Sequence, residues 1–145
     1  MNKVALKTIG FVEQNEVDDQ WNIEHIDPDQ PADRSVPIEV TIIGYRGFRN
    51  IDQDNSSMTE ELVINENGNK YSQHVQFTVR TEQDRDLAKK YERRPLVVHV
   101  WTVDGHHYKI GTKLYPAYLL PSKANSKETV ETAMTVDYET LTSIM

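Results

Sequence analysis

The dipeptide Asp104-Gly105, set between two runs of alternating side chains, constrains this chain more than any other feature. Asp-Gly in that setting is a two-residue hairpin turn whose twist matches its strands, so Leu96 to Gly111 is read as a β-hairpin. The turn pairs Val103 with His106, Trp101 with Tyr108 and His99 with Ile110, all on one face. Leu96, Val98, Val100, Thr102, His107 and Lys109 fall on the other. Both faces carry bulky groups, which places the ribbon centrally or beneath a partner.

Further strands follow from the same period of two. Val4 to Val12 is apolar enough for one, with Gly10 as a bulge or bend. Ser35 to Arg46 alternates Val36, Ile38, Val40 and Ile42 with polar residues. Glu61–Ile64 and Tyr71–Arg80 form a hairpin around Asn65-Glu66-Asn67-Gly68-Asn69. Val130 to Tyr138 is a final strand. One helix is expected over about residues 82–94. Thr81 caps it, Asp84 stands at the capping-box position, and acids precede bases along it as the dipole favours. Pro95 stops it.

The segments near 13–35 and 49–60 read as extended loops or arms, and residues 139–145 as a C-terminal tail. The first contains Trp21 and Asp27-Pro28-Asp29-Gln30-Pro31, which is incompatible with a helix interior. The fold expectation is therefore mainly β: one domain spanning 1–145, a sandwich or partly closed barrel with one short amphipathic helix.

Composition removes whole classes of chemistry. The 145 residues include no cysteine, which excludes disulfides, thiolate metal sites and cysteine nucleophiles. A net charge of −7 argues against direct, sequence-specific nucleic-acid binding. No apolar run approaches the roughly 20 residues of a membrane helix, and Met1–Lys7 lacks a signal-peptide pattern. The charge is also split: residues 1–69 carry −9 and residues 70–145 carry +2. In one copy that is an acidic face; between copies it is head-to-tail complementarity.

No catalytic or metal pattern emerges. His106 and His107 are neighbours and point to opposite faces of a strand, and the other histidines lack ligand spacing. Asp52, Asp54 and Glu60 lack the glycine and terminal glutamate of a calcium loop. There is no Gly-x-Ser-x-Gly elbow and no glycine cradle for phosphate. The expectation is a non-enzyme with no cofactor. Lys89, Lys90, Arg93 and Arg94 have the composition of a phosphate patch, or complement the helix dipole. Aromatics beside loop signals are candidate interface anchors: Trp21, Tyr45, Phe48, Tyr115 and Tyr118, with Arg46 and Arg49 between them.

The stretch from Val97 to Ala117 combines a strand, an Asp-Gly turn, a strand ending in Ile110-Gly111, and a Pro116-bounded aromatic segment. It resembles a stretch in small virion structural proteins of tailed bacteriophages, including the crAss-like gut phages. The resemblance implies a cysteine-free, β-rich neck or tail component, assembled in the bacterial host cytoplasm as an oligomeric ring with itself and other virion proteins. It supplies no catalytic residues. The alternative is a soluble β-domain that binds a small ligand or carbohydrate through exposed aromatics.

Overall fold

A computed structural model of the chain describes residues 2–16, 37–40, 44–122 and 131–145. Its organising element is β1 (Asn2–Glu13), which pairs along different parts of its length with three other strands. Asn2 to Ala5 pair with β4 (Ser57–Asn65), and Leu6 to Glu13 pair with β6 (Leu96–Thr102). On its other side, Gly10 and Phe11 pair with β3 (Tyr45–Gly47). Register slips between Leu6 and Thr8, so the bulge lies at Lys7 and not at Gly10 as expected. A bulge inserts one residue and changes which parity faces inward. Val4 and Leu6 face the core before it, and Ile9 and Phe11 after it. One strand thereby serves two sheets.

The first sheet runs β1, β4, β5 (Gly68–Val79), β9 (Thr132–Thr140) and β8 (Leu120–Pro121). The second runs β2 (Ile38–Val40), β3, β1, β6 and β7 (His107–Ile110). A bridge from Leu96 to Ala117 carries the chain from β6 toward β8, which partly closes the barrel. Its core includes Phe11, Phe48, Met58, Phe77, Leu96, Val98, Leu119 and Val136.

Helix α1 (Glu82–Tyr91) packs on this core through Ala88 and Tyr91, whose ring lies 4.9 Å from that of Phe11. Thr81 caps it, its hydroxyl accepting from the Asp84 amide at 3.3 Å. The Asp84 carboxylate accepts from the amides of Arg49 and Asn50, the latter at 2.7 Å, and ties the helix to that loop. Burial nevertheless pushes this carboxyl above its ordinary range. The helix ends three residues before the expected 94. Arg93 takes a left-handed φ of 61° and its amide bonds the Leu119 carbonyl, breaking the ladder before Pro95 can.

Other expectations need correction. The single strand expected over 35–46 is, within the described residues, two antiparallel strands pairing Ile38 with Gly47 and Val40 with Tyr45. The loop expected over 49–60 holds a 3-10 turn, Gln53–Asn55, and the start of β4. Polar Ser57, Thr59 and Glu60 belong to β4 because each has partners on both neighbouring strands. Within 139–145, β9 runs through Thr140 before the tail begins. Most of the 13–35 segment lies outside the described residues; Glu13 ends β1, and Gln14 to Glu16 form a turn.

The Asp104-Gly105 hairpin forms, one residue out of the expected register. Trp101 pairs with His107, Val100 with Tyr108 and Val98 with Ile110. The loop is Val103-Asp104-Gly105, and only Gly105 in it has positive φ, at 90°. This is the three-residue type I turn closed by a left-handed glycine. The Thr102 hydroxyl, donating to the Asp104 carboxylate and accepting from the His106 amide at 3.0 Å, holds that geometry. No atom lies within 4 Å of a Cβ built at Gly105, so the constraint is purely conformational. Gly105→Val should lower unfolding stability by about 1–3 kcal/mol in thermal or urea titration. Unchanged stability would mean the loop does not depend on that dihedral.

Candidate interaction surface

The slipped register decides what lies on the outward face of the second sheet. It sets His99 and Trp101 on β6 beside His107 and Lys109 on β7. His99 Nε2 lies 3.1 Å from His107 Nδ1 with the rings stacked, and Trp101 lies 4.2 Å from His107. On β1, Gly10 is the direct neighbour of both Gly47 and His99. The Tyr45 ring occupies the space these glycines leave; a Cβ at Gly10 would sit 2.1 Å from its hydroxyl. The Tyr45 ring meets His99 edge-on at 5.9 Å. Together with Val12 and Val97 this forms a second buried layer behind the main core.

Burial disfavours charge in this layer: burial first, then the electrostatic effect of the neighbouring His107 and Lys109, pushes His99 down to about 3. Burial likewise pushes the Tyr45 phenol up. Among the described residues the Tyr45 hydroxyl and His99 Nδ1 have no hydrogen-bond partner. A surface role for Tyr45 and Phe48 therefore does not hold. Tyr45 is fully buried in this layer, and Phe48 sits in the main core between Phe11 and Phe77 at ring distances of 6.0 and 5.1 Å. Trp21 lies outside the described residues.

The basic candidates gather at the end of α1. Arg46, Lys90 and Arg94 all stand over the Tyr91 ring, at 5.1, 5.5 and 5.1 Å. Arg94 also pairs with Glu13 at 2.8 Å and Arg46 with Glu16 at 3.4 Å. Two acids from the negative half thus already serve cations of the same copy. Lys89 and Arg93 are exposed; Arg49 is half-buried, its amide on Asp84. No group of histidines and carboxylates suited to a metal ion occurs among the described residues.

Apart from Val103 at the β6–β7 turn, Leu120 on β8 and Leu141 in the tail, the exposed large apolar side chains among the described residues lie on two protrusions. The first is the loop after β7, where Leu114 is 77% and Tyr115 68% exposed, with Tyr118 following it. Tyr115 is fixed by its own backbone: its carbonyl accepts from the Tyr138 hydroxyl at 2.5 Å and the Thr112 amide at 2.9 Å. The second is the far end of the β4–β5 hairpin. Pairing with β1 stops at Glu60 and with β9 at Tyr71, so from Val63 to Lys70 the ribbon has two strands only. It carries Leu62, Val63 and Ile64, the last 73% exposed. The sequence showed the hairpin, but not that its neighbouring strands end early.

The base of this arm is pinned by Glu60, which is almost fully buried. Its carboxylate accepts from Gln73 Nε2 and the Ile144 amide, each at 2.9 Å, and from the Ser143 hydroxyl. These bonds fold the tail back so that Ile144 and Met145 pack against the core.

No protein-family profile, no curated protein and no solved structure matches this chain.

Glu60 makes a signed prediction. Burial opposes its ionisation, but the hydrogen bonds from Ser143, Ile144 and Gln73 outweigh it and hold the carboxyl below its ordinary range. A depressed folded-state value stabilises above the unfolded value and is lost as pH falls through the folded one. Stability should thus decline below about pH 4.5, and Glu60→Gln should flatten part of that decline. At neutral pH the variant should lose about 1–2 kcal/mol and release the tail to proteolysis. A variant with the parent's pH profile would contradict the clamp.

Proposed function

We propose that this chain is a non-enzymatic structural component of a tailed-phage virion, a neck or tail protein that assembles with itself into an oligomeric ring. The observation that carries this reading is where the fold leaves its apolar groups. Leu62, Val63 and Ile64 stand on the protruding arm and Tyr115 is 68% exposed on its loop; of these groups and Leu114, only Leu114 also lines a cavity. Protruding apolar groups suit protein–protein contact, whereas small-molecule sites are concave. Past Glu60 the outer edge of β4 has no strand partner among the described residues, which permits strand addition. The resemblance of residues 97–117 to small virion proteins points the same way. In this reading the partners are further copies and other virion proteins, and the location is the virion. No helix of the described residues is long and apolar enough to cross a membrane.

A cavity of about 610 Å³, lined among the described residues by Gln14, Asn15, Thr112, Lys113 and Leu114, favours the second reading, a β-domain that binds a small ligand or carbohydrate. Sedimentation velocity and negative-stain microscopy of the purified chain separate the two. The structural reading expects association that grows with concentration, ending in closed rings of identical copies. A protein that stays monomeric and binds a sugar saturably would establish the second reading instead.

A further inference from the structure

We propose that the β4–β5 arm is a two-fold contact between copies: the edge of β4 past Glu60 pairs antiparallel with the same edge of a second copy, Val63 opposite Val63 on the axis. The contact rests on the reading that copies of this chain associate, and it names one surface they use. β1 pairs with β4 no further than Glu60, and no other described strand takes its place on that side. Every residue from Glu61 to Lys70 is exposed. Between Glu61 and Asn65 the edge carries no proline and no bulge, and its one charge stands at its end, so little in it opposes strand addition.

The backbone decides which residues a partner strand would bond. Across β1 and β4, the Leu6 amide donates to the Ser56 carbonyl at 3.2 Å. Backbone groups alternate between a strand's two neighbours, so Ser56, Met58 and Glu60 turn theirs to β1, and Leu62 and Ile64 turn theirs to the open edge. Centring the pairing on Val63 sets Leu62 opposite the second copy's Ile64, and Ile64 opposite its Leu62, both as hydrogen-bonded pairs. A shift of one residue would set outward groups against inward ones. A shift of two either shortens the ladder to Val63–Asn65 or brings Ile64 against Glu60, where Asn2 already pairs.

The side chains match in the same register. Leu62 and Ile64 continue the core-facing side of the first sheet past Met58 and Glu60, and those of the two copies meet as one aliphatic cluster. On the other side Val63 meets Val63. Glu61 faces Asn65 and not another acid. The Asn65 side-chain oxygen accepts from the Asn67 amide at 2.9 Å, leaving its NH2 to donate to that carboxylate. The contact is isologous and joins copies in pairs, so a ring needs a second, head-to-tail contact elsewhere on the surface.

The chain has no native cysteine, so one introduced thiol reports the register. Val63 would meet its own copy in a non-hydrogen-bonded pair with Cα atoms about 4.5 Å apart, within the span of a disulfide. At about 3.4 Å per residue the two copies of Glu61 would lie about 14 Å apart, beyond that span. Under mild oxidation Val63→Cys should therefore form linked dimers at least about ten-fold faster than Glu61→Cys. Glu61→Cys and Asn65→Cys, when mixed, should link to each other. Ile64→Pro removes an amide that faces the open edge and leaves the β4–β5 pairing intact, and Ile64→Lys places a charge there without touching the backbone. Each should weaken self-association at least about ten-fold by sedimentation, with the melting temperature of the dilute, monomeric chain unchanged. Linking of Val63→Cys no faster than that of Glu61→Cys, or parent-like association of Ile64→Lys, would overturn the contact while leaving the assembly reading in place. A parent chain that stays monomeric at every concentration would bring down the assembly reading and this contact with it.

Discussion

Everything in this fold depends on β1 hydrogen-bonding to strands of both sheets. A strand with one buried face needs a single parity of apolar residues; a strand shared by two sheets has to change parity along its length. The bulge at Lys7 makes that change. Beyond it the strand is apolar on both faces, with Ile9 and Phe11 toward the main core and Val12 toward the outer layer. Gly10 is the one position on the outer face where the strand carries no side chain, and the Tyr45 ring fills that space. Filling a bare stretch of sheet with a cross-strand aromatic compensates for the contact that glycine cannot make.

The same constraint explains where apolar surface remains. Among the described residues β1 pairs with β4 up to Glu60, while β4 and β5 run on to the turn at Glu66-Asn67. The core face ends at a polar boundary of Glu60 and Gln73, over which the chain's last residues fold. Past that boundary Leu62 and Ile64 are 44% and 73% exposed. Buried apolar area is the main stabilising term available to such groups, and the proposed assembly is what would supply it.

Local chemistry was legible in the sequence wherever it sufficed to decide the structure. The Thr81 cap, the β4–β5 hairpin and the alternation of Met134, Val136 and Tyr138 rest on neighbouring residues and appear as expected, and the β6–β7 hairpin forms but in a register shifted by one residue. Reading failed where a tertiary partner decided the outcome. Tyr45 and Phe48 sit among glycines and arginines, the setting of an exposed anchor, yet one fills the space over Gly10 and the other enters the core. The polar run before Glu61 looks like loop until β1 and β5 supply partners for it. The His99–His107 contact required the three-residue form of the turn, which an Asp-Gly pair alone does not distinguish from the two-residue form.

Native-state hydrogen exchange tests the central role of β1 most directly. If that strand holds both sheets together, the amides of Ile9, Phe11 and Val12 should exchange only through global unfolding, with protection matching the stability measured by denaturant. Amides on the arm, from Val63 to Lys70, should exchange through local opening at far lower free energy. Amides of β1 that exchange by local opening while those of β5 and β9 stay protected would show that the first sheet stands without it, and would contradict this account.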